Sequence, residues 1–286
     1  MHSIHDKAGK PLLYVVATPI GNLQDITLRA LEVLKQVDIV AAEDTRVTSR
    51  LLKHFQIPAK MMALQEHNEK RASERVIALL QQGKSVALVS DAGTPTISDP
   101  GAIVVSRVRQ AGFRVVPVPG ANAAVSALSV SGQDVSHYLF YGFLPSKPSA
   151  RRRELGDLVT LPFMLIFYEA PHRIVESITD MQAVFGGERG ITIARELTKL
   201  FENIYTGTLN TALEWLRRDQ DHQKGEFVLL VSGTGKAAAS RNDATRMLTI
   251  LLQELSVKQA VKLASQICGE SRKTLYAAAL EIKGKP

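Results

Sequence analysis

A single cysteine, Cys268, stands in this chain of 286 residues. It excludes an intrachain disulfide and any metal site built from a cysteine cluster, and it fits a reduced, cytoplasmic compartment. No stretch reaches about 18 uninterrupted apolar residues, which excludes an apolar membrane-spanning helix. Residues 1–10 lack the apolar core of a secretory signal and are expected to fray ahead of the first strand. The seven histidines show no metal-ligand spacing, and His2 and His5 fall in that end. No G-x-G-x-x-G follows an apolar run, which argues against a Rossmann dinucleotide site. Gly233-Thr234-Gly235-Lys236 fails as a phosphate loop, because Leu230 stands where the first glycine belongs and Ala237 where Ser or Thr belongs. A G-x-S-x-G nucleophile elbow is missing too. There is no low-complexity tract and no internal repeat.

What is present is the composition of a globular protein, with 45% hydrophobic and 22% charged residues in a length that suits about two domains. The net charge of +7 permits a nucleic-acid partner without requiring one. Its distribution is more informative. Segment 147–153 carries Lys147, Arg151, Arg152 and Arg153 and no acid; segment 241–286 has eight Lys and Arg against four Asp and Glu. These runs read either as RNA-contacting surfaces or as solvated helix faces.

Apolar runs at 12–17, 37–42, 86–89 and 114–118 alternate with helical spacings such as Leu28, Leu31, Leu34 and Val76, Leu79, Leu80. That is the pattern of a parallel α/β sheet covered on both faces. From Phe140 the pattern changes. Runs at 163–167, 190–194, 203–208 and 226–231, with helical patterns at 172–183 and 209–218, predict a mixed sheet. The expected organisation is an N-terminal α/β lobe over 11–135, a second α/β lobe over 136–233, a small-residue linker over 233–242 and a basic helical domain over 243–286. In that domain Ser256 precedes a helix over 257–267, Gly269 ends it and Ser271 caps the next. Two helices about a glycine turn are either a nucleic-acid-reading helix-turn-helix or a plain packing unit.

Three loops rich in glycine and proline leave strand ends of the first lobe: Thr18-Pro19-Ile20-Gly21-Asn22-Leu23, Ser90 to Gly101, and Pro119-Gly120-Ala121-Asn122-Ala123-Ala124. Open α/β sheets bind ligands at such ends. Glycine admits close backbone approach and proline fixes the path. Three loops on one sheet edge predict a single small-molecule site.

Resemblance sharpens this reading. TPIGNLQDIT at 18–27, AEDTR at 42–46, SDAGTPTISDPG at 90–101 and PVPGANAAVSAL at 117–128, followed by FYEAPHR at 167–173, RELTK at 195–199 and GEFVLLVSG at 225–233, form an ordered set. The set resembles the tetrapyrrole methylase superfamily and, within it, the bacterial branch that modifies small-subunit ribosomal RNA, over about residues 11–235. The resemblance implies two α/β lobes with S-adenosylmethionine (SAM) in the cleft between them and the helical domain appended, a homodimer, and no metal. By resemblance, Pro19, Gly21, Asp91, Ala92, Gly93, Thr94, Ala121, Asn122, Ala123, Tyr168 and Ala170 line the SAM pocket. Asp91 either accepts from a SAM hydroxyl or ammonium group or caps its own turn.

A ribose hydroxyl is a poor nucleophile, so a base, or a cation that stabilises the alkoxide, is expected near the acceptor. Glu43, Asp44 and Arg46 form one cluster and Glu196, Lys199 and Glu202 another; each is either a surface ion-pair network or part of the acceptor site. Glu43, Asp44, Arg46, Glu196 and Lys199 are the expected catalytic set, with the base unassigned. Arg50, one helical turn past Arg46, shares its face and suits phosphate, joining Lys147, Arg151, Arg152 and Arg153 as expected RNA contacts. Phe167 reads as core; Tyr168 and His172 are open to base stacking. The implied activity is 2′-O-methylation of a cytidine ribose in 16S RNA of the small ribosomal subunit. The alternatives are carbon methylation of a tetrapyrrole and a nucleic-acid-binding module without catalysis.

Overall fold

The computed structural model describes residues 11–133, 136–234 and 236–283, so the expected fraying of residues 1–10 lies outside the described residues. The first lobe runs β1 (Leu13–Val16), α1 (Leu28–Gln36), β2 (Ile39–Ala42), α2 (Thr45–His54), β3 (Lys60–Ala63), α3 (Glu69–Gln81), β4 (Val86–Val89), α4 (Ala102–Gln110), β5 (Val115–Val118) and α5 (Ala123–Val130). Its strands pair in parallel in the order β3-β2-β4-β1-β5. Strand β3 has no strand signal in the sequence, because Lys60-Met61-Met62-Ala63 holds no β-branched or aromatic residue; its place at the sheet edge supplies the pairing. One face of this sheet buries Val33, Leu34 and Leu52 against Tyr14 and Val40, and the other buries Val76, Leu80, Val104 and Val108 against Leu13 and Leu88. Burial on both faces is what the near-continuous apolar strands require.

The second lobe runs β6 (Tyr138–Phe143), α6 (Pro148–Leu158), β7 (Met164–Glu169), α7 (Ile174–Phe185), β8 (Gly190–Arg195), β9 (Asn203–Thr208), α8 (Leu209–Arg218) and β10 (Phe227–Val231). The sheet order is β6-β7-β10-β8-β9, with β6 and β7 parallel and the remaining pairs antiparallel. This is the mixed sheet expected from the shorter spacings. Helices α6, α7 and α8 cover one face through Leu155, Ile178, Met181, Leu213 and Leu216. The other face receives α5 of the first lobe: Ala124 and Ala127 pack on Ile166, Ala194, Val228 and Leu230. Small residues on α5 let its backbone lie close to the sheet, and this contact joins the lobes.

The linker expected over 233–242 is largely helix. Helix α9 (Lys236–Glu254) begins there, because Ala237, Ala238 and Ala239 are the strongest helix formers and need no packing to favour it. Helices α10 (Val257–Cys268) and α11 (Arg272–Lys283) follow, and the three share a core of Ala244, Leu248, Ala260, Val261, Ala264, Leu275 and Ala279. Gly269 closes α10 at φ +73°, the left-handed conformation a glycine cap allows. Among the described residues no helix is long and apolar enough to cross a membrane.

Candidate active site

The three loops converge. Thr18 and Gly93 exchange backbone hydrogen bonds, N to O at 2.8 Å and 3.0 Å, and the Thr18 hydroxyl donates to the Ser90 carbonyl at 3.1 Å. The Thr94 hydroxyl donates to the Ala121 carbonyl at 3.1 Å. The parallel order puts β4, β1 and β5 side by side, so their C-terminal loops meet at one edge. Gly93 sits at φ +77°, where an L side chain is strained. Thr96 and Ser98 in the same loop, and Glu196 and Thr198 opposite, also have positive φ. Strained backbone of this kind gathers at ligand sites.

A cavity of about 330 Å³ opens under these loops, between the lobes. From the first lobe Ile20, Ala92, Gly93, Thr94, Asn122 and Ala123 line it, and from the second Tyr168, Ala170, Leu197 and Val228. Asn122 caps α5 by accepting from Val125 N at 3.1 Å. The Tyr168 hydroxyl accepts from Ala124 N at 3.3 Å, and its ring stands edge-on to Phe140 and Phe143. Tyr168 is therefore a wall of the cavity tied to both lobes, while Phe167 is core, as expected.

Among the described residues Asp99 and Glu226 enter this cavity and no Lys, Arg or His does. Glu169 also borders it, but its carboxylate accepts from Ala170 N, Arg173 and Ser177. Burial pushes the Asp99 carboxyl up to about 6, a Ser90 hydrogen bond works against it, and the nearby Glu43 and Asp91 carboxylates push the same way as burial. Burial likewise raises Glu43 and Asp91 above the usual carboxylate range.

Pro19, Gly21 and Asp91, expected in the same pocket, line a second cavity of about 320 Å³ with Arg50 and Lys199. The two cavities share Ile20, Ala92 and Glu226. Asp91 turns toward β2's loop: its Oδ1 accepts from Asp44 N at 3.0 Å, and its own N donates to Glu43 Oε2 at 3.3 Å. Lys199 Nζ donates to Glu196 Oε1 at 2.7 Å and Glu226 Oε2 at 2.9 Å. Burial works against the Lys199 charge, but these carboxylates outweigh it and hold the ammonium above its usual range. Burial also opposes the Glu196 charge, but the Lys199 hydrogen bond and charge, the Glu226 N–H and the nearby Arg195 charge together outweigh it, leaving Glu196 below its usual range.

Asp44 has a different role. It caps α2 by accepting from Arg46 N at 2.8 Å and holds the Arg46 guanidinium at 2.6 Å. The Arg46 hydrogen bonds pull its carboxyl down to about 2, so it is not a proton acceptor near neutrality.

The basic segment divides. Lys147, just before α6, and Arg152 and Arg153 on it are exposed. Arg151 is 1% exposed, and its guanidinium is bound to Asp180 at 2.7 Å. The expected RNA contact at Arg151 is corrected: helical phase turns it inward against α7, where it is a structural ion pair.

Several cavity residues escaped the sequence analysis: Ile97, Ser98, Asp99, Phe143, Leu197, Glu226 and Phe227. Asp99 stood in plain view in the 90–101 motif. Glu226 and Phe227 arrive only because β10 is inserted between β7 and β8.

The chain matches the Tetrapyrrole (Corrin/Porphyrin) Methylases over residues 12–213 and the RsmI C-terminal HTH domain over residues 238–283. It is 48% identical to the Ribosomal RNA small subunit methyltransferase I of Vibrio cholerae, covering 97% of each chain. It is 49% identical to the protein of that name from Pseudomonas aeruginosa, over 96% of this chain and 98% of the relative. Among solved structures, the methyltransferase CobJ superposes with a TM-score of 0.60 at 16% identity, over 78% of this chain and 94% of that one. A uroporphyrin-III-C-methyltransferase from Thermus thermophilus gives 0.52 at 20% identity, over 81% and 97%. These two likenesses concern the fold.

Proposed function

The chain belongs to the tetrapyrrole methylase family, and from that premise we propose that it transfers a methyl group from SAM to the ribose 2′-hydroxyl of a cytidine in 16S RNA of the small ribosomal subunit. The observation that carries this reading is the division of charge between the joined cavities. Among the described residues the larger offers Asp99 and Glu226 and no cation, among apolar walls. That complements a ligand bearing a sulfonium and an ammonium. The smaller shares Glu226 and contains Asp91, but it adds the cations Arg50 and Lys199, which suit a sugar flanked by phosphates.

SAM supplies an already activated methyl group. The protein's part is to hold methyl and acceptor in line, and orientation of this kind contributes roughly 7–11 kcal/mol. The Thr18–Gly93 and Thr94–Ala121 links fix the loops on one side, and Tyr168 fixes the other. Lys199, kept protonated and aimed by Glu196 and Glu226, stabilises charge developing on the ribose oxygen. Glu43, which is not among the described residues that line either cavity, braces Asp91 by accepting from its N; Asp44 and Arg46 hold the head of α2 in place. Arg50, Lys147, Arg152 and Arg153 position phosphates.

The relatives named for ribosomal RNA match across both lobes and the helical domain, which favours RNA over a tetrapyrrole. The protein acts as a homodimer through the apolar turn before β9, where Leu200 is 89% and Phe201 67% exposed. Sedimentation equilibrium tests the dimer. Methyl-labelled SAM incubated with small subunits, naked 16S RNA and a tetrapyrrole precursor tests the reaction. The expected result is label in RNA, recovered as 2′-O-methylcytidine after nuclease digestion. Label in the tetrapyrrole alone overturns it.

A further inference from the structure

Among the described residues, none of α9–α11 lines either cavity described above. Between α10 and α11 lies a separate concavity of about 450 Å³, lined by Lys258, Val261, Lys262, Arg272, Lys273 and Tyr276. Val261 is its buried floor; the four cations and Tyr276 are exposed. Lys258, Val261 and Lys262 share one face of α10 by their i, i+3, i+4 spacing, and on α11 Tyr276 lies i+4 from Arg272 and i+3 from Lys273. Among the described residues none of the four cations has a carboxylate within 4.0 Å.

Their positions are unfavourable to the isolated domain. Lys258 lies in the first turn of α10 and Arg272 and Lys273 in the first turn of α11, and neither turn contains an acid. The helix dipole is positive there, so cations are repelled and an anion is attracted. Four unpaired cations that oppose the helices carrying them are explained by an anionic partner. The aromatic ring among them specifies its type: a base offers a π-face to Tyr276 while its backbone offers phosphates to the lysines and arginine. An acidic protein surface satisfies the cations but gives the ring no such counterpart.

We propose that this concavity docks a single-stranded segment of the RNA substrate, with Lys258, Lys262, Arg272 and Lys273 on successive phosphates and Tyr276 stacked on a base. This rests on the reading of the chain as an RNA methyltransferase, and it places a second, non-catalytic RNA site outside the cleft.

The test uses the full chain: wild type, the quadruple variant Lys258→Ala, Lys262→Ala, Arg272→Ala, Lys273→Ala, and Tyr276→Ala and Tyr276→Phe. Affinity for a 16S RNA fragment is measured over a salt series, alongside SAM affinity, melting temperature and methyl-transfer kinetics on small subunits. The quadruple variant is expected to flatten the log–log salt slope by up to about 3 units, about 0.7 per contact. It is expected to raise KM for RNA with little change in kcat, leave SAM affinity unchanged and melt no lower than wild type. Tyr276→Ala is expected to weaken RNA binding about five- to hundredfold, and Tyr276→Phe to restore it. An unchanged slope and KM in the folded quadruple variant overturn the proposal. So does normal binding of naked RNA with lost binding of assembled subunits, which assigns the concavity to a ribosomal protein. A wild type that methylates no RNA refutes the activity reading; the difference in salt slope still decides the surface.

Discussion

Replacing Arg151 with Ala is expected to destabilise the protein by about 3–5 kcal/mol, because it strands the buried Asp180 carboxylate and leaves only Arg152 at 3.5 Å beside it. Denaturant titration reads this directly. The double change Arg152→Ala, Arg153→Ala is expected to unfold at nearly the wild-type midpoint while weakening RNA affinity; the opposite pattern assigns α6 a structural role only. A second residue-scale expectation concerns Asp99. Its folded-state carboxyl titrates at about 6, above the 3.8 of a free aspartate, so the folded protein binds the proton more tightly than the unfolded chain. Stability therefore falls as pH rises from about 4 through about 6. A cationic ligand prefers the ionised form, so SAM affinity rises over the same window. Asp99→Asn is expected to flatten both profiles, by thermal melts and calorimetry at each pH; a pH profile of SAM affinity unchanged by this substitution removes Asp99 from the SAM site.

At the scale of elements, the packing of loop against turn is as informative as any side chain. A Cβ at Gly21 meets Lys199 Cγ at 2.6 Å and the Leu197 carbonyl at 3.0 Å. The β1 loop therefore lies directly on the 196–199 turn, and Asn22 N donates to the Thr198 hydroxyl at 3.0 Å. Gly21→Ala is expected to push Lys199 from Glu226 and lower kcat at least tenfold while SAM affinity changes less, since the larger cavity does not include residue 21. Steady-state kinetics with separate SAM titration checks this, and an unaltered kcat shows that the position of Lys199 is immaterial. The loops themselves were legible in the sequence, because glycine and proline mark turns whatever surrounds them. The helical phase of α6 was not: a run of three arginines says nothing about which one faces α7.

For the whole molecule, the core falls into separate clusters. Ala244, Leu248, Ala260 and Leu275 pack with partners from α9–α11, and among the described residues none of those helices' side chains belongs to the clusters of the two lobes. Truncation after Thr234 is expected to leave a cooperatively folding protein with wild-type SAM affinity and much weaker methylation of RNA. Full activity on small subunits after truncation makes α9–α11 dispensable. The lobes, by contrast, are not expected to separate, because α5 belongs to one and is buried against the sheet of the other.

Residue order alone determined four of the five strands of the parallel first sheet, the mixed second sheet, the capped helices at the end and the three loops, because periodicity, capping and turn chemistry act over a few neighbouring residues. It also carried the family resemblance, since those loops are contiguous motifs. Only the tertiary structure decided which charges are free and which are consumed. Asp44 and Arg151 are spent on a helix cap and a buried ion pair; Asp99 shares the cleft with the Lys199–Glu226 pair although they come from different lobes. The physical reason is that burial and pairing depend on the order of strands in a sheet and the rotation of a helix on it, both set by contacts between residues far apart in the chain.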